Sequence, residues 1–282
     1  LSTILVKPLA RVTKAIEDLT DGYQQDEISV PDYTETELIT DAFNKMLARM
    51  KVLDESRSEF VSNVSHELKT PMTSMKVLAD SLVGQQGVPE DLYQEFMRDI
   101  TAEIDRENRI ITDLLTLVKM DKKNADLQIQ HMSINQLLED ILKRLRPIAD
   151  KRNIDLILDS FRPVEADVDE LKFTSAISNL VENAIKYNVD DGWVRVSLDA
   201  DHKFFYVTVA DSGMGIPEDS LSRIFERFYR VDKSHSREIG GTGLGLAITR
   251  STIGMHHGVI KVFSKEGEGT TFSVRVPLSY IP

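Results

Sequence analysis

The chain has 282 residues, 41% of them hydrophobic and 28% charged, with 14 glycines and 9 prolines. That composition excludes the disordered, collagen-like and membrane-embedded classes, and at roughly 150 residues per domain it provides for about two units. The 34 Lys and Arg against 46 Asp and Glu give a net charge of -12, which disfavours broad attraction to nucleic acid or anionic lipid, so any bound phosphate must be held locally.

With no cysteine in the chain, disulfides, thiolate nucleophiles and cysteine-based metal sites are excluded. No run approaches the roughly 18 apolar residues that span a bilayer, and no signal peptide is present. The sequence opens at Leu1 with an apolar stub over residues 1–6 ahead of Lys7-Pro8. Two readings of that stub stay open, a frayed terminus and a fragment that follows a transmembrane helix.

In chain order, Leu5, Leu9, Val12, Ile16 and Leu19 step by 4, 3, 4, 3, a heptad seam that ends at Asp21-Gly22. After an irregular stretch through Pro31 a second seam runs through Ile39, Phe43, Met46, Met50, Leu53, Arg57, Phe60 and Val64. One helix cannot bury such a seam alone, so a parallel homodimeric coil is expected, with a monomeric helical hairpin as the competing arrangement. The helical pattern resumes after Pro71 to about Leu82, breaks at Gly84 and Gly87-Val88-Pro89, and returns over 89–119 with Phe96, Ile100, Ile104, Ile111, Leu114, Leu115 and Val118. Two antiparallel helices doubled by a dimer make a four-helix bundle. From Lys122-Lys123-Asn124 the period changes: strands are expected at 127–131, 154–158, 193–200, 203–210, 258–264 and 270–276, with helices at 134–150, 169–187 and 244–256. This half reads as a separate α+β domain, a helical layer on a mixed sheet.

Five segments carry chemistry. In Ser65-His66-Glu67-Leu68-Lys69-Thr70-Pro71 the histidine falls two residues past the seam position Val64 and so faces outward. Imidazole is nucleophilic and mostly unprotonated near neutrality, and Glu67 can orient it or take its proton. Thr70, at i+4, shares that face, and Pro71 removes an N–H and bends the helix beside it. A solvated His–Glu surface pair is the plainer alternative. In Asn179-Leu180-Val181-Glu182-Asn183-Ala184-Ile185-Lys186-Tyr187-Asn188 the polar stripe Asn179, Asn183, Lys186 and Tyr187 offers neutral oxygens and a cation suited to a nucleotide-bound Mg²⁺. An ordinary amphipathic helix explains the same stripe. Asp211-Ser212-Gly213-Met214-Gly215 closes an apolar strand with a carboxylate that can accept a base amino group, or is a plain turn. Gly240-Gly241-Thr242-Gly243-Leu244-Gly245 leads straight into a helix whose N-terminal amides can cradle phosphate, although it lacks a P-loop ending, or is a plain flexible loop. Gly267-Glu268-Gly269-Thr270-Thr271 alone is a hairpin turn.

In their order and joint occurrence these segments resemble the sensor histidine kinases of two-component systems. The His66 segment is similar to the family's phosphoacceptor box, 179–188 to its N box, 211–215, 241–245 and 267–271 to its three glycine boxes, and Ile224-Phe225-Glu226-Arg227-Phe228-Tyr229-Arg230 to its F box. Residues 5–55 resemble a HAMP linker, whose acidic-glycine signature appears only as Glu35-Thr36-Glu37-Leu38. The resemblance implies a HAMP-like linker over 1–55, a dimerisation and phosphotransfer hairpin over 56–122, and an α/β-sandwich ATP-binding domain over 123–282. It implies that Asp211 binds the adenine amino group, Tyr187 packs on the base, Asn183 and Asn179 serve Mg²⁺, and Lys186 approaches the phosphates. Gly213, Gly215, Gly241, Thr242, Gly243, Leu244, Gly245, Thr270 and Thr271 complete the nucleotide pocket, and Phe225, Phe228 and Arg230 couple it to a lid over about 218–242. His66 then attacks the γ-phosphate with Glu67 as base, a response-regulator aspartate takes the phosphoryl group, and Glu67 with Thr70 also serve dephosphorylation of that regulator. The expected setting is a homodimer, cytoplasmic itself and joined to the membrane through a segment upstream of Leu1, with no nucleic-acid role. Two rivals remain, a hydrolytic ATPase of the gyrase and chaperone type and a non-catalytic signalling scaffold. The former resembles Glu-x-x-x-Asn where this chain has Asn179-x-x-x-Asn183, so a water-activating carboxylate is absent there.

Overall fold

The computed structural model describes residues 13, 34–84, 89–120, 127–231 and 241–281. The first heptad seam and the lid residues 232–240 lie outside the described residues. The chain divides into two units after His66, and each is described by itself.

Helix α1, Thr34–Val83, is 50 residues long and runs unbroken through Pro71. The expected interruption at that proline is absent: its ring removes one N–H, and the apolar and polar turns on either side continue the same helix. In the first unit the seam residues Met46, Met50 and Leu53 are exposed on the single chain. The second unit opens with the rest of α1, then α2, Glu90–Met120, which starts with Glu90 and Asp91 and ends with Lys119, charges that suit the two poles of the helix dipole. Among the described residues, no helix is long and apolar enough to cross a membrane.

After α2 the chain folds into an α/β sandwich. Strand β1, Ile129–Ser133, pairs antiparallel with β3, Glu165–Asp169, as a separate ribbon. The main sheet has five strands in the order β2, β4, β5, β7, β6, made of Asp155–Ser160, Trp193–Ala200, Phe204–Asp211, Gly269–Pro277 and Val259–Lys265. Only the β2–β4 pair is parallel, so the sheet is mixed as expected. Helices α3, Ile134–Asp150, α4, Glu170–Lys186, and α5, Gly245–Met255, cover one face. Their sequences dictate this: α4 buries Phe173, Ala176, Ile177, Leu180, Val181, Ala184 and Ile185, an i, i+3, i+4 stripe, against Val194, Val196, Val207, Val209 and Val274 of the strands. Side chains start both longer helices, Ser133 accepting from the Gln136 amide and Asp169 from the Lys172 amide. Among the described residues no side chain caps the start of α5, whose first amides stand at the end of the glycine-rich segment.

Candidate nucleotide and phosphoacceptor sites

At the end of β5, Asp211 is buried, and its Oδ1 accepts the Gly213 amide at 2.8 Å and the Thr270 amide at 3.2 Å. Burial raises the carboxyl pKa while those two amides oppose the rise. Oδ2 takes no hydrogen bond from the described residues, so the carboxylate is held from one side and presents an acceptor on the other. Gly269 makes this possible: its φ is +103°, and a Cβ there would overlap the Asp211 carbonyl oxygen. The first and third glycine segments are further joined by the Gly267 amide donating to Met214 O at 2.8 Å, beside Gly215. Thr270 is buried with its hydroxyl at 2.9 Å from Ser264. Thr271 is not brought to this cluster. The two-residue period of β7 turns it to the other sheet face, paired with Ala210 and Phe263.

The N-box residues lie on and just beyond α4. Lys186 Nζ stands 5.2 Å from the Tyr187 ring centroid, and Gly241 of the second glycine segment lies against Lys186 Nζ and Tyr187 OH. Burial first, then the positive charges of Arg230, Arg109 and Arg106, pull the Lys186 pKa down to about 8, against the opposing pull of Glu182. Lys186 thus feels three arginines, two of them on α2, a positive setting that suits a polyanion. Asn183 is half-buried and its carboxamide makes no hydrogen bond to the described residues. One turn earlier, Asn179 donates to Thr249 Oγ1 at 3.0 Å, with Gly245 directly against its carboxamide.

The F-box and second glycine segment meet through backbone. The Phe228 amide donates to Gly243 O at 2.9 Å, with φ of +63° and +68° at the two residues. A Cβ on Gly243 would press on the Phe228 backbone, and a left-handed phenylalanine persists only where its surroundings fix it. Phe225 packs edge-on to Phe272 at 6.3 Å and under the Arg250 guanidinium at 5.5 Å, which anchors the segment against the core. Leu244 is buried with Ile248 against Leu117 of α2, and the Thr242 hydroxyl donates to Asp113 Oδ2 at 2.9 Å.

His66 is exposed on α1, with Glu67 half-buried and Thr70 exposed. Because α1 is unbroken there, the i, i+4 spacing keeps His66 and Thr70 on one side of that helix.

Sequence reasoning missed three contributors. Asp113 has no motif of its own. Arg152 donates to three carbonyls at the end of α4. The buried Asn188 donates to Ala184 O and Trp193 O, both at 3.0 Å, and accepts from Ser212 Oγ at 3.0 Å, tying the N-box helix to the residue beside Asp211. The signal for Asn188 was its place within the N box; Asp113 and Arg152 gave none.

Residues 168–280 match the family model for histidine kinase-, DNA gyrase B- and HSP90-like ATPases, and 56–123 match the His Kinase A phospho-acceptor domain. The sensor histidine kinase WalK of Bacillus subtilis is 35% identical over 228 residues, covering 80% of this chain and 37% of WalK. The sensor-like histidine kinase SenX3 of Mycolicibacterium smegmatis is 35% identical over 225 residues, covering 80% of this chain and 58% of SenX3. The chain thus spans less than two thirds of the length of these relatives. In fold it is similar to histidine kinase ThkA, solved in complex with the response regulator protein TrrA, with a TM-score of 0.66 at 23% identity over 89% of this chain and 69% of that one. It is also similar to the histidine kinase AdeS of Acinetobacter baumannii, with a TM-score of 0.61 at 21% identity over 76% of this chain and 98% of that one. A phospho-acceptor helix followed by this ATPase sandwich, both matched in one chain and in that order, means that the chain belongs to the sensor histidine kinase family.

Proposed function

We propose that the chain is an ATP-dependent protein-histidine kinase that phosphorylates its own His66 and passes the phosphoryl group to an aspartate of a response regulator. The observation that carries the reading is the Asp211 cradle, a buried carboxylate fixed by the Gly213 and Thr270 amides with one oxygen left to accept, in a chain whose matched phospho-acceptor segment exposes His66. Asp211 accepts from the adenine amino group, Tyr187 packs on the base, and Lys186 with the start of α5 and the Gly241-Thr242-Gly243-Leu244-Gly245 backbone hold the phosphates. Phe228 and Arg230 link that loop to the lid. An imidazole nitrogen of His66 attacks the γ-phosphorus, the N–P bond forms as the bond to the bridging oxygen breaks, and ADP leaves. Glu67 takes the imidazole proton.

Mg²⁺ fits the donors present. Asn183 and Asn179 would offer carboxamide oxygens, and no group of three or more acidic or histidine side chains able to hold a metal occurs among the described residues, as suits an ion that takes most of its ligands from phosphates and water. When bound, the ion would neutralise charge on the phosphate oxygens. Asn179, whose Nδ2 donates to Thr249, is an amide and cannot activate water as a carboxylate would, which favours transfer over hydrolysis. Glu67 and Thr70 further support dephosphorylation of the regulator. The proposal includes a homodimer, the module boundaries 1–55, 56–122 and 123–282, a cytoplasmic setting, and membrane attachment through a segment outside this sequence. In partner type it follows the solved complex of ThkA with TrrA.

Incubation with γ-phosphate-labelled ATP is expected to give a base-stable, acid-labile adduct on the wild-type chain and none on His66→Gln. Equal labelling of the two would overturn the assignment.

A further inference from the structure

The two side chains proposed to meet base and phosphate, Lys186 and Tyr187, occupy the last residue of α4 and the one after it. That is the least secure part of any helix: the last carbonyls have no partners within it, and the final turn frays. Here the carbonyls are met from outside. Arg152, in the turn after α3, donates from Nη1 to Ile185 O at 2.9 Å and Lys186 O at 3.0 Å, and from Nη2 to Asn188 O at 2.8 Å. Its Nε donates to Asp190 Oδ1 at 2.9 Å, so the guanidinium is fixed at every nitrogen. The turn that carries it is itself tied to the same segment by the Asp191 amide on Arg152 O at 3.2 Å and by Asn153 Nδ2 on Asp191 Oδ1 at 2.5 Å. An arginine suits this arrangement, because a planar fork with five donors reaches carbonyls on either side of a helix end, where an ammonium offers three donors from a single point. The positive charge at a helix C-terminus is favourable in its own right.

We infer that Arg152 is a positioning residue for nucleotide binding, acting through the α4 terminus to aim Lys186 and Tyr187. Its hold is on the backbone from which they spring. The path continues past Arg152 through Asn188, whose Oδ1 accepts from Ser212 beside Asp211. Base and phosphate contacts thus share one frame.

The inference rests on the proposed nucleotide site, and the test separates the two. ADP binding to the full chain is measured by titration calorimetry for wild type, Arg152→Ala, Arg152→Lys, Lys186→Ala and the double variant Arg152→Ala with Lys186→Ala, with a thermal melt of each. Arg152→Ala is expected to weaken ADP by about tenfold, Arg152→Lys to recover part of that, and the loss to shrink to about twofold or less in the Lys186→Ala background, as coupled residues require. A residue that only held the fold together would lower the melting temperature and leave the dissociation constant unchanged, or would cost the same in both backgrounds, and either result overturns the inference. If Arg152→Ala does not fold, Asp190→Ala takes its place: Asp190 is 74% exposed, and removing it is expected to weaken ADP about two- to threefold, the worth of one partly exposed hydrogen-bonded pair. Unchanged affinity in that variant overturns the inference, and a wild-type chain that binds no ADP overturns the nucleotide site itself.

Discussion

Lys186 is half-buried, and burial first, then the charges of Arg230, Arg109 and Arg106, lower its pKa to about 8. Without nucleotide, the ammonium is therefore charged below that pH and neutral above it, whereas an approaching triphosphate favours the charged form. Above that pH binding must recruit a proton. Nucleotide affinity is expected to fall as pH rises through about 8, by up to about tenfold per pH unit, the limit for uptake of one proton. Titrations between neutral and mildly alkaline pH check this, and Lys186→Arg, which keeps its charge throughout, should flatten the profile. A wild-type profile as flat as the variant's would mean that Lys186 does not meet the phosphates. Asp211 carries the opposite logic: burial raises its carboxyl, yet two backbone amides hold it as an acceptor. A neutral amide at that position keeps an oxygen but presents an N–H as well, so its fit to an adenine amino group depends on which way it turns.

Between elements, His256 joins the end of α5 to the start of α4. It is almost fully buried, its Nδ1–H donates to Thr252 O at 2.8 Å, and its Nε2 accepts the Asp169 amide at 2.9 Å. With one nitrogen donating and the other accepting, the ring must be neutral, and burial lowers its pKa below the ordinary 6.5. The unfolded chain then binds more protons than the folded one as pH falls below about 6.5, so the contribution is present above that value and lost beneath it. Wild type is expected to lose denaturant resistance between about pH 7.5 and 5.5, while His256→Gln, less stable at the upper end by about 1–2 kcal/mol for its lost hydrogen bonds, changes less, so the two converge in acid. Urea midpoints across that range measure it, and parallel slopes would refute it. None of this coupling was legible in the sequence. The helices were, because Ile134, Leu137, Leu138, Ile141 and Leu142, and the stripe from Phe173 to Ile185, repeat at the helical period. The chemistry-bearing boxes were legible too, through residue types at fixed spacing. Strand β3 escaped notice because Glu165-Ala166-Asp167-Val168-Asp169 is short and acidic and is held by pairing with β1, an element distant in sequence. His256 meets Asp169 across 87 positions, Thr242 meets Asp113 across 129, and Arg152 binds backbone carbonyls. Such partners leave no periodic trace, and a family resemblance that groups Thr270 with Thr271 does not say that successive strand residues face opposite ways.

At the scale of the whole molecule, the second heptad seam is unfinished in one chain. Met46 is 50% exposed, Met50 39% and Leu53 63%, all on the part of α1 before His66, and α2 likewise exposes Ile104, Ile111, Leu115 and Val118. Each large apolar side chain left in water forgoes about 1.5–3 kcal/mol of burial, and a stripe of them at heptad spacing is what a second helix covers. A second copy of the chain meets that requirement with the same residues, as closed two-fold assemblies do. The wild-type chain is therefore expected to sediment as a dimer at micromolar concentration. Paired Met50→Glu and Leu53→Glu substitutions bring carboxylates from both copies into the dimer seam and should shift the boundary to monomer, because like charges buried at core positions cannot be paired there. ADP affinity should be unchanged in that variant, since neither residue belongs to the nucleotide pocket, whereas His66 labelling should drop if the seam supports phosphotransfer. A variant that remains dimeric would locate the interface elsewhere. One that becomes monomeric yet labels His66 at the wild-type rate would separate dimerisation from catalysis and confine the kinase to a single chain.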